Sequence, residues 1–278
     1  MARTSGKRPA RPGSGRRRQV RQFLAWCVHF YTALGLVAAA GIAFAIVQGT
    51  PASYRLAFFL MLIATVIDAT DGTLARLVRV KEVLPGFDGR RLDDLIDFQT
   101  YTSLPLLLIW RAGLIAPEHA WCLVVPLLAS AYGFCQTSAK TDDGYFLGFP
   151  SYWNLVAFYL YVLGPPEWLS LSLLFGLAFL TFVPARYLYP TQRGRLNQFS
   201  NLLGAVWAGL LAWILVRLPE DVFPGQAGDG FTRGLALVSL FYPIFYMSVS
   251  WLITWHYWQL RRARRRRGQG PVEEIRPA

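Results

Sequence analysis

Histidine and cysteine are scarce and scattered in this chain, and that scarcity narrows its chemistry. Cys27, Cys122 and Cys135 stand far apart in apolar segments, a pattern that indicates neither a disulfide framework nor a zinc site. His29 has no metal-ligand partner at helical spacing, so it reads as a packed, hydrogen-bonded side chain, while His119 and His256 fall at the ends of apolar runs. Acids are few as well, 16 Asp and Glu against 28 Lys and Arg. No internal repeat or second domain is evident. A signal-peptide cleavage pattern is also missing, because the first apolar run is too long and Ala38, Ala39 and Ala40 lie inside it.

Apolar residues, by contrast, make up 54% of the 278 positions, with 15% aromatic. Several runs reach the roughly 20 residues that span a bilayer. The pattern predicts an all-α, polytopic membrane helix bundle with about eight spans, near Phe23–Val47, Tyr54–Leu77, Leu92–Trp110, His119–Ala139, Ser151–Leu163, Leu169–Tyr189, Leu196–Leu218 and Leu235–Tyr257. The net charge of +12 gathers at the ends, in the Gly/Pro/Ser-rich stretch Arg3–Arg21 and in Arg261–Arg267, which holds six arginines. Tails flanking apolar helices serve topology and anionic headgroups more simply than they serve nucleic acid, so no nucleic-acid partner is expected. The division is residues 1–22 as a basic disordered or interfacial segment, 23–258 as the membrane domain and 259–278 as a basic tail. Arg79, Lys81, Arg90 and Arg91, then Lys140, then Arg193 and Arg195 mark alternate linkers, which places them and both termini in the cytoplasm.

Within this apolar chain, Ile67–Phe98 is the exception. Asp68 and Asp71 are three apart and Asp93 and Asp97 four apart, so each pair shares a helix face. The two faces belong to successive helices joined by a basic turn. A charged group in a membrane helix costs about 2.5–3.5 kcal/mol at the bilayer centre, and less toward the interface, unless it is paired, hydrated or metal-bound. Converging acids also repel one another, and a divalent cation relieves that repulsion. Gly72 follows Asp71 and permits close approach, Ala75 keeps the face shallow, and Arg76 offers a charged fork for phosphate. Together these residues point to a metal and diphosphate site. Asp94 faces away from Asp93 and reads as a structural acid.

The pattern Asp68-x2-Asp71-Gly72-x2-Ala75-Arg76, then Gly89-x3-Asp93-x3-Asp97, resembles the signature of the CDP-alcohol phosphatidyltransferases. Twelve residues separate Arg76 from Gly89, more than is usual in that family. This long spacer looks like the variant in its bacterial phosphatidylcholine synthase branch, as do Val80–Pro85 within it. Val28–Gly35, Lys140–Pro150, Tyr152-Trp153-Asn154 and Leu180–Pro184 resemble the same branch. The resemblance implies a helix bundle in the bacterial inner membrane, its site open to the cytoplasm and laterally to lipid. It also implies transfer of a phosphatidyl group from CDP-diacylglycerol to choline with release of CMP. By the same resemblance, Asp68, Asp71 and Asp93 would hold divalent metal and Asp97 would be the general base. Asp71, Gly72, Ala75, Arg76 and Gly89 would face the nucleotide. Oxygen-only ligation favours Mn²⁺ or Mg²⁺, and members of the family commonly form homodimers.

Choline cannot donate N–H hydrogen bonds, so its site calls for aromatic faces and a nearby carboxylate. Asp142, Tyr145, Tyr152 and Trp153 supply both, although Trp and Tyr also collect at membrane interfaces for unrelated reasons. Lys140, Arg193 and Arg195 suit lipid phosphate or, equally, simple topology. Serine, inositol phosphate or glycerol phosphate are alternative acceptors, the phosphorylated ones calling for a basic cluster that only Arg193 and Arg195 begin to supply. A cation-coupled transporter would spread its acids through the membrane depth, whereas these gather at one level. A catalytically silent scaffold would have no reason to carry all four acids.

Overall fold

The computed structural model describes residues 14–137, 145–188, 194–221 and 230–266. Helix α1, Ser14–Gln48, runs unbroken from the basic segment into the first apolar run. The basic residues Arg16–Arg21 therefore lie on the same helix as the first span. Gly49 turns the chain with φ +67°. Thr50 and Ser53 then form a reciprocal capping box, with Pro51 in the first turn, and start α2, Pro51–Val78. The two helices pack antiparallel through small and apolar faces, Ala39, Ile42 and Ile46 against Tyr54, Ala57 and Phe58.

At its far end α2 stops on Arg79, whose left-handed backbone (φ 55°) redirects the chain into the short α3, Val80–Val83. Val80 is buried against Ala25 and Val28 of α1, and the Phe87 ring meets His29 at a tilt, 4.4 Å between centroids, and Trp26 edge to face at 5.3 Å. The long spacer is thus pinned to α1 by apolar contacts. Asp88 caps α4, Gly89–Asp97, by accepting from the Arg90 and Arg91 amides. A π-helical turn, Phe98–Ser103, joins α4 to α5, Leu104–Arg111, and the Leu104 amide donates to Gln99. Pro105 explains the widening: in a regular α-helix its ring would press on the carbonyl four residues back. These three pieces form one rod along the expected third span.

Pro117–Leu123 is a tight 3₁₀ turn and α6 begins only at Val124, ending at Cys135, so the span expected from His119 starts later. α7, Trp153–Leu163, ends at Gly164 in the left-handed region. α8, Glu167–Phe182, ends sooner than the expected Tyr189, because Pro184 cannot continue a helix and biases Val183 to extended backbone. Arg186–Leu188 instead form strand β2, paired antiparallel with β1, Tyr145–Leu147. This small ribbon is the one departure from all-α structure among the described residues. At Gly148, φ is +86° and an added Cβ would run into the Thr181 carbonyl.

α9 spans Arg195–Arg217, and α10, Gly230–Ser239, continues through a bend at Leu240 into α11, Phe241–Arg266. The bend follows from Pro243. The last span is therefore longer at both ends than the expected Leu235–Tyr257. Arg16–Gln48, Pro51–Val78, Arg195–Arg217 and Gly230–Ala263 are long and apolar enough to cross a membrane. The other four expected spans map onto shorter helical segments. Phe30, Phe44, Leu77, Phe179, Trp213 and Leu252 point outward, as lipid-facing residues do, while Trp153, Tyr161, Leu108 and Ile109 fill the interior.

Candidate active site

The α1–α2 hairpin and the α4–α5 rod meet at the end of the hairpin opposite Gly49. Asp68 and Asp71 come from the last third of α2 and Asp93 from the middle of α4, and ligand atoms of the three lie within 4.8 Å of one another. Ligand oxygens on opposite sides of a hard cation stand about twice the metal–oxygen distance apart, or about 4–5 Å. The donors are carboxylates alone, the set that Mg²⁺, Mn²⁺ or Ca²⁺ prefers. The triad could therefore hold such an ion. Asp97 lies one turn beyond Asp93, half-buried and within electrostatic reach of Asp68, Asp71, Asp93 and Asp94.

Hydroxyl groups brace the acids. Thr32 on α1 donates to Asp71 Oδ2 at 2.7 Å, and Tyr101 on the π turn donates to Asp68 Oδ2 at 2.7 Å. The Tyr31 and Thr70 hydroxyls pair at 2.7 Å beside them. Neither Thr32 nor Tyr101 stands out in the sequence. Tyr101 sits at four-residue spacing after Asp93 and Asp97, a continuation that could have flagged it, whereas Thr32 is one hydroxyl among many.

Gly72 and Ala75 are partly exposed beside Asp71, and the space above Gly72 meets nothing nearer than the Arg76 guanidinium at 3.5 Å. Arg76 is exposed and donates to Thr73 Oγ1 at 2.9 Å. This corner is open, as a diphosphate would require. Gly89 differs, because an added Cβ there would sit 2.5 Å from His29 Cε1, so its missing side chain makes room for a buried ring. Gly89→Ala is expected to cost about 1–3 kcal/mol by overpacking and to lower the melting temperature of detergent-solubilised protein by several degrees. Adding His29→Ala should recover at least half of that loss; no recovery would show that Gly89 is constrained by something else.

The aromatic residues separate clearly. Tyr152 is partly exposed, with its ring 6.3 Å from Tyr101 and 6.4 Å from Tyr246. Ser151 before it is held at φ 55°, a conformation that costs a non-glycine residue of order 1 kcal/mol. Trp153 is wholly buried and its indole N–H donates to Ser130 Oγ at 2.7 Å. Its surroundings are those of a core residue. The Tyr145 ring has the Arg186 guanidinium 5.4 Å from its centroid, and that fixed cation competes with any second one. Asp142, Lys140 and Arg193 lie outside the described residues. Arg195 is exposed at the start of α9.

Fold and site together define a helical membrane protein whose acidic residues converge on a metal-competent triad at one end of a helix hairpin. No family model matches the chain. It is 40% identical over 185 residues to a phosphatidylcholine synthase of Legionella bozemanae, covering 64% of this chain and 85% of that protein. It is 38% identical over 200 residues to the phosphatidylcholine synthase of Pseudomonas aeruginosa, covering 71% and 82%, and 40% identical over 210 residues to that of Legionella pneumophila, covering 71% and 80%. The chain belongs to the phosphatidylcholine synthase family.

Proposed function

We propose that the protein makes phosphatidylcholine in a bacterial inner membrane, joining choline to the phosphatidyl group of CDP-diacylglycerol and releasing CMP. The observation that carries the reading is the convergence of Asp68, Asp71 and Asp93 beside an open Gly72 and Arg76, in a chain of this family. The choline oxygen attacks the lipid-side phosphorus, the bond from that phosphorus to the oxygen retained by CMP breaks, and the choline hydroxyl proton passes to Asp97. Asp68, Asp71 and Asp93 would hold Mg²⁺ or Mn²⁺, which when bound neutralises charge on the diphosphate. Arg76, on the exposed side of α2, pairs with phosphate oxygens, and Gly72 and Ala75 leave room for the nucleotide.

For the acceptor we favour the faces of Tyr152, Tyr101 and Tyr246, which adjoin Asp68 through the Tyr101 hydroxyl. Aromatic faces beside carboxylates suit a quaternary ammonium better than a phosphorylated alcohol. Arg79 on the spacer and Arg91 in the first turn of α4 are exposed, which supports a cytoplasmic opening by the positive-inside rule. Residues 23–258 act as the membrane domain in this reading, with the basic tails at anionic headgroups and Arg195 near lipid phosphate. The fold offers no argument for a homodimer.

Incubating the detergent-solubilised chain with CDP-diacylglycerol and labelled choline plus Mn²⁺ tests this, with EDTA, serine and inositol phosphate as parallel arms. Labelled phosphatidylcholine that disappears with EDTA is the expected result. A lipid from serine or inositol phosphate but none from choline would move the acceptor, and activity indifferent to EDTA would remove the metal.

A further inference from the structure

Two of the metal-competent carboxylates are held by hydroxyls that come from other elements. Thr32 is buried on α1, and of its two contacts Asp71 Oδ2 at 2.7 Å is far shorter than the Val28 carbonyl at 3.4 Å. A hydroxyl has one proton, and here it goes to the carboxylate. Tyr101 is 8% exposed and donates to Asp68 Oδ2 at 2.7 Å. Asp68 and Asp71 occupy the same face of α2, and the two donors reach it from the hairpin partner and from the rod that bears Asp93. Tyr101 depends on the π turn. Four residues of regular α-helix pass a full turn by about 40°, whereas the wider π turn falls short of one, so the ring is aimed differently from a continuation of α4. The rod therefore supplies one acid of the triad directly and orients another.

We infer that Thr32 and Tyr101 are positioning residues that set the orientation of Asp71 and Asp68 and thereby the affinity of the triad for a divalent cation. This rests on the metal reading above. A carboxylate with no donor turns about two torsions, and each ion bound must first stop that rotation. A short charge-assisted hydrogen bond stops it beforehand. Simple stapling of the helices would produce the same bonds, but it would affect melting rather than ion affinity.

The test is a Mn²⁺ titration of the purified full chain in detergent, followed by the electron paramagnetic resonance signal of free Mn²⁺, with melting temperatures measured in EDTA. Tyr101→Phe and Thr32→Val are each expected to weaken Mn²⁺ binding about tenfold or more, while Thr32→Ser, which keeps the donor, stays within about threefold of the parent chain. Either variant suffices should the other be too unstable to purify. Asp93→Asn serves as the control for the underlying reading. If the parent chain binds no Mn²⁺, or Asp93→Asn binds it equally well, the metal reading fails and takes this inference with it. If binding depends on Asp93 yet Tyr101→Phe and Thr32→Val both stay within twofold of the parent, the inference alone is overturned.

Discussion

Asp97→Asn is expected to lower phosphatidylcholine formation by about 10²–10⁴-fold, the usual contribution of a positioned general base, while Mn²⁺ affinity changes by less than about threefold. The split follows from position. Asp97 stands outside the triad whose ligand atoms converge, yet lies one helical turn from Asp93 on the same face of the rod. An asparagine has the same shape and cannot take up a proton. The choline hydroxyl is a poor nucleophile at neutral pH, so the loss of its acceptor falls on turnover rather than on ion binding. Turnover within tenfold of the parent chain would remove Asp97 as the base. A parallel collapse of Mn²⁺ affinity would instead place Asp97 among the metal ligands. Initial rates with labelled choline, paired with a Mn²⁺ titration of the same preparation, separate these outcomes.

Residues whose meaning is periodic or compositional were legible in the sequence. The apolar runs located α2 and α9 to within a few residues and α1 at its C-terminal end, its start lying nine residues before the expected Phe23, and the spacings of Asp68 with Asp71 and of Asp93 with Asp97 placed four acids on two facing surfaces. Tertiary contacts are another matter. Gly89 reads as a nucleotide-facing glycine by its place in a motif, but the His29 ring that fills its Cβ position belongs to a helix sixty residues earlier. Trp153 has the composition of an interfacial aromatic and the environment of a core residue, because its indole finds Ser130 on another helix. Three-residue strands such as Tyr145–Leu147 and Arg186–Leu188 carry no usable period, so the ribbon was hidden within what looked like a helix end and a loop. Pro105 announces a disturbance in the third span without saying that it would take the form of a π turn, and that turn is what carries Tyr101 to Asp68. Arg186, buried between the rings of Tyr145 and Tyr257, had no sequence signal at all beyond being an arginine in an apolar surrounding.

Removal of one metal ligand is expected to move stability in opposite directions with and without the ion. In EDTA the folded chain brings Asp68, Asp71, Asp93 and Asp97 together with no cation between them, and their mutual repulsion opposes folding. Asp93→Asn removes one of these charges, so in EDTA it should melt at or above the parent temperature. Added Mn²⁺ reverses the ranking. An ion that binds only the folded state at a hundred times its dissociation constant contributes about 2.7 kcal/mol, which for a chain of this size raises the melting temperature by on the order of 5–10 °C. Asp93→Asn should show little of that rise and should lose at least about a hundredfold in phosphatidylcholine formation at the same Mn²⁺ concentration. Thermal unfolding of the two chains in detergent, each with EDTA and with Mn²⁺, gives the four values needed. Equal Mn²⁺-induced shifts in both chains would place the ion elsewhere. A variant that melts far below the parent in EDTA would mean that Asp93 holds the rod in place by a hydrogen bond worth more than the repulsion it causes. The expected pattern, a chain made no less stable but inactive by losing one carboxylate, is that of a site kept for its chemistry at the expense of the apo fold.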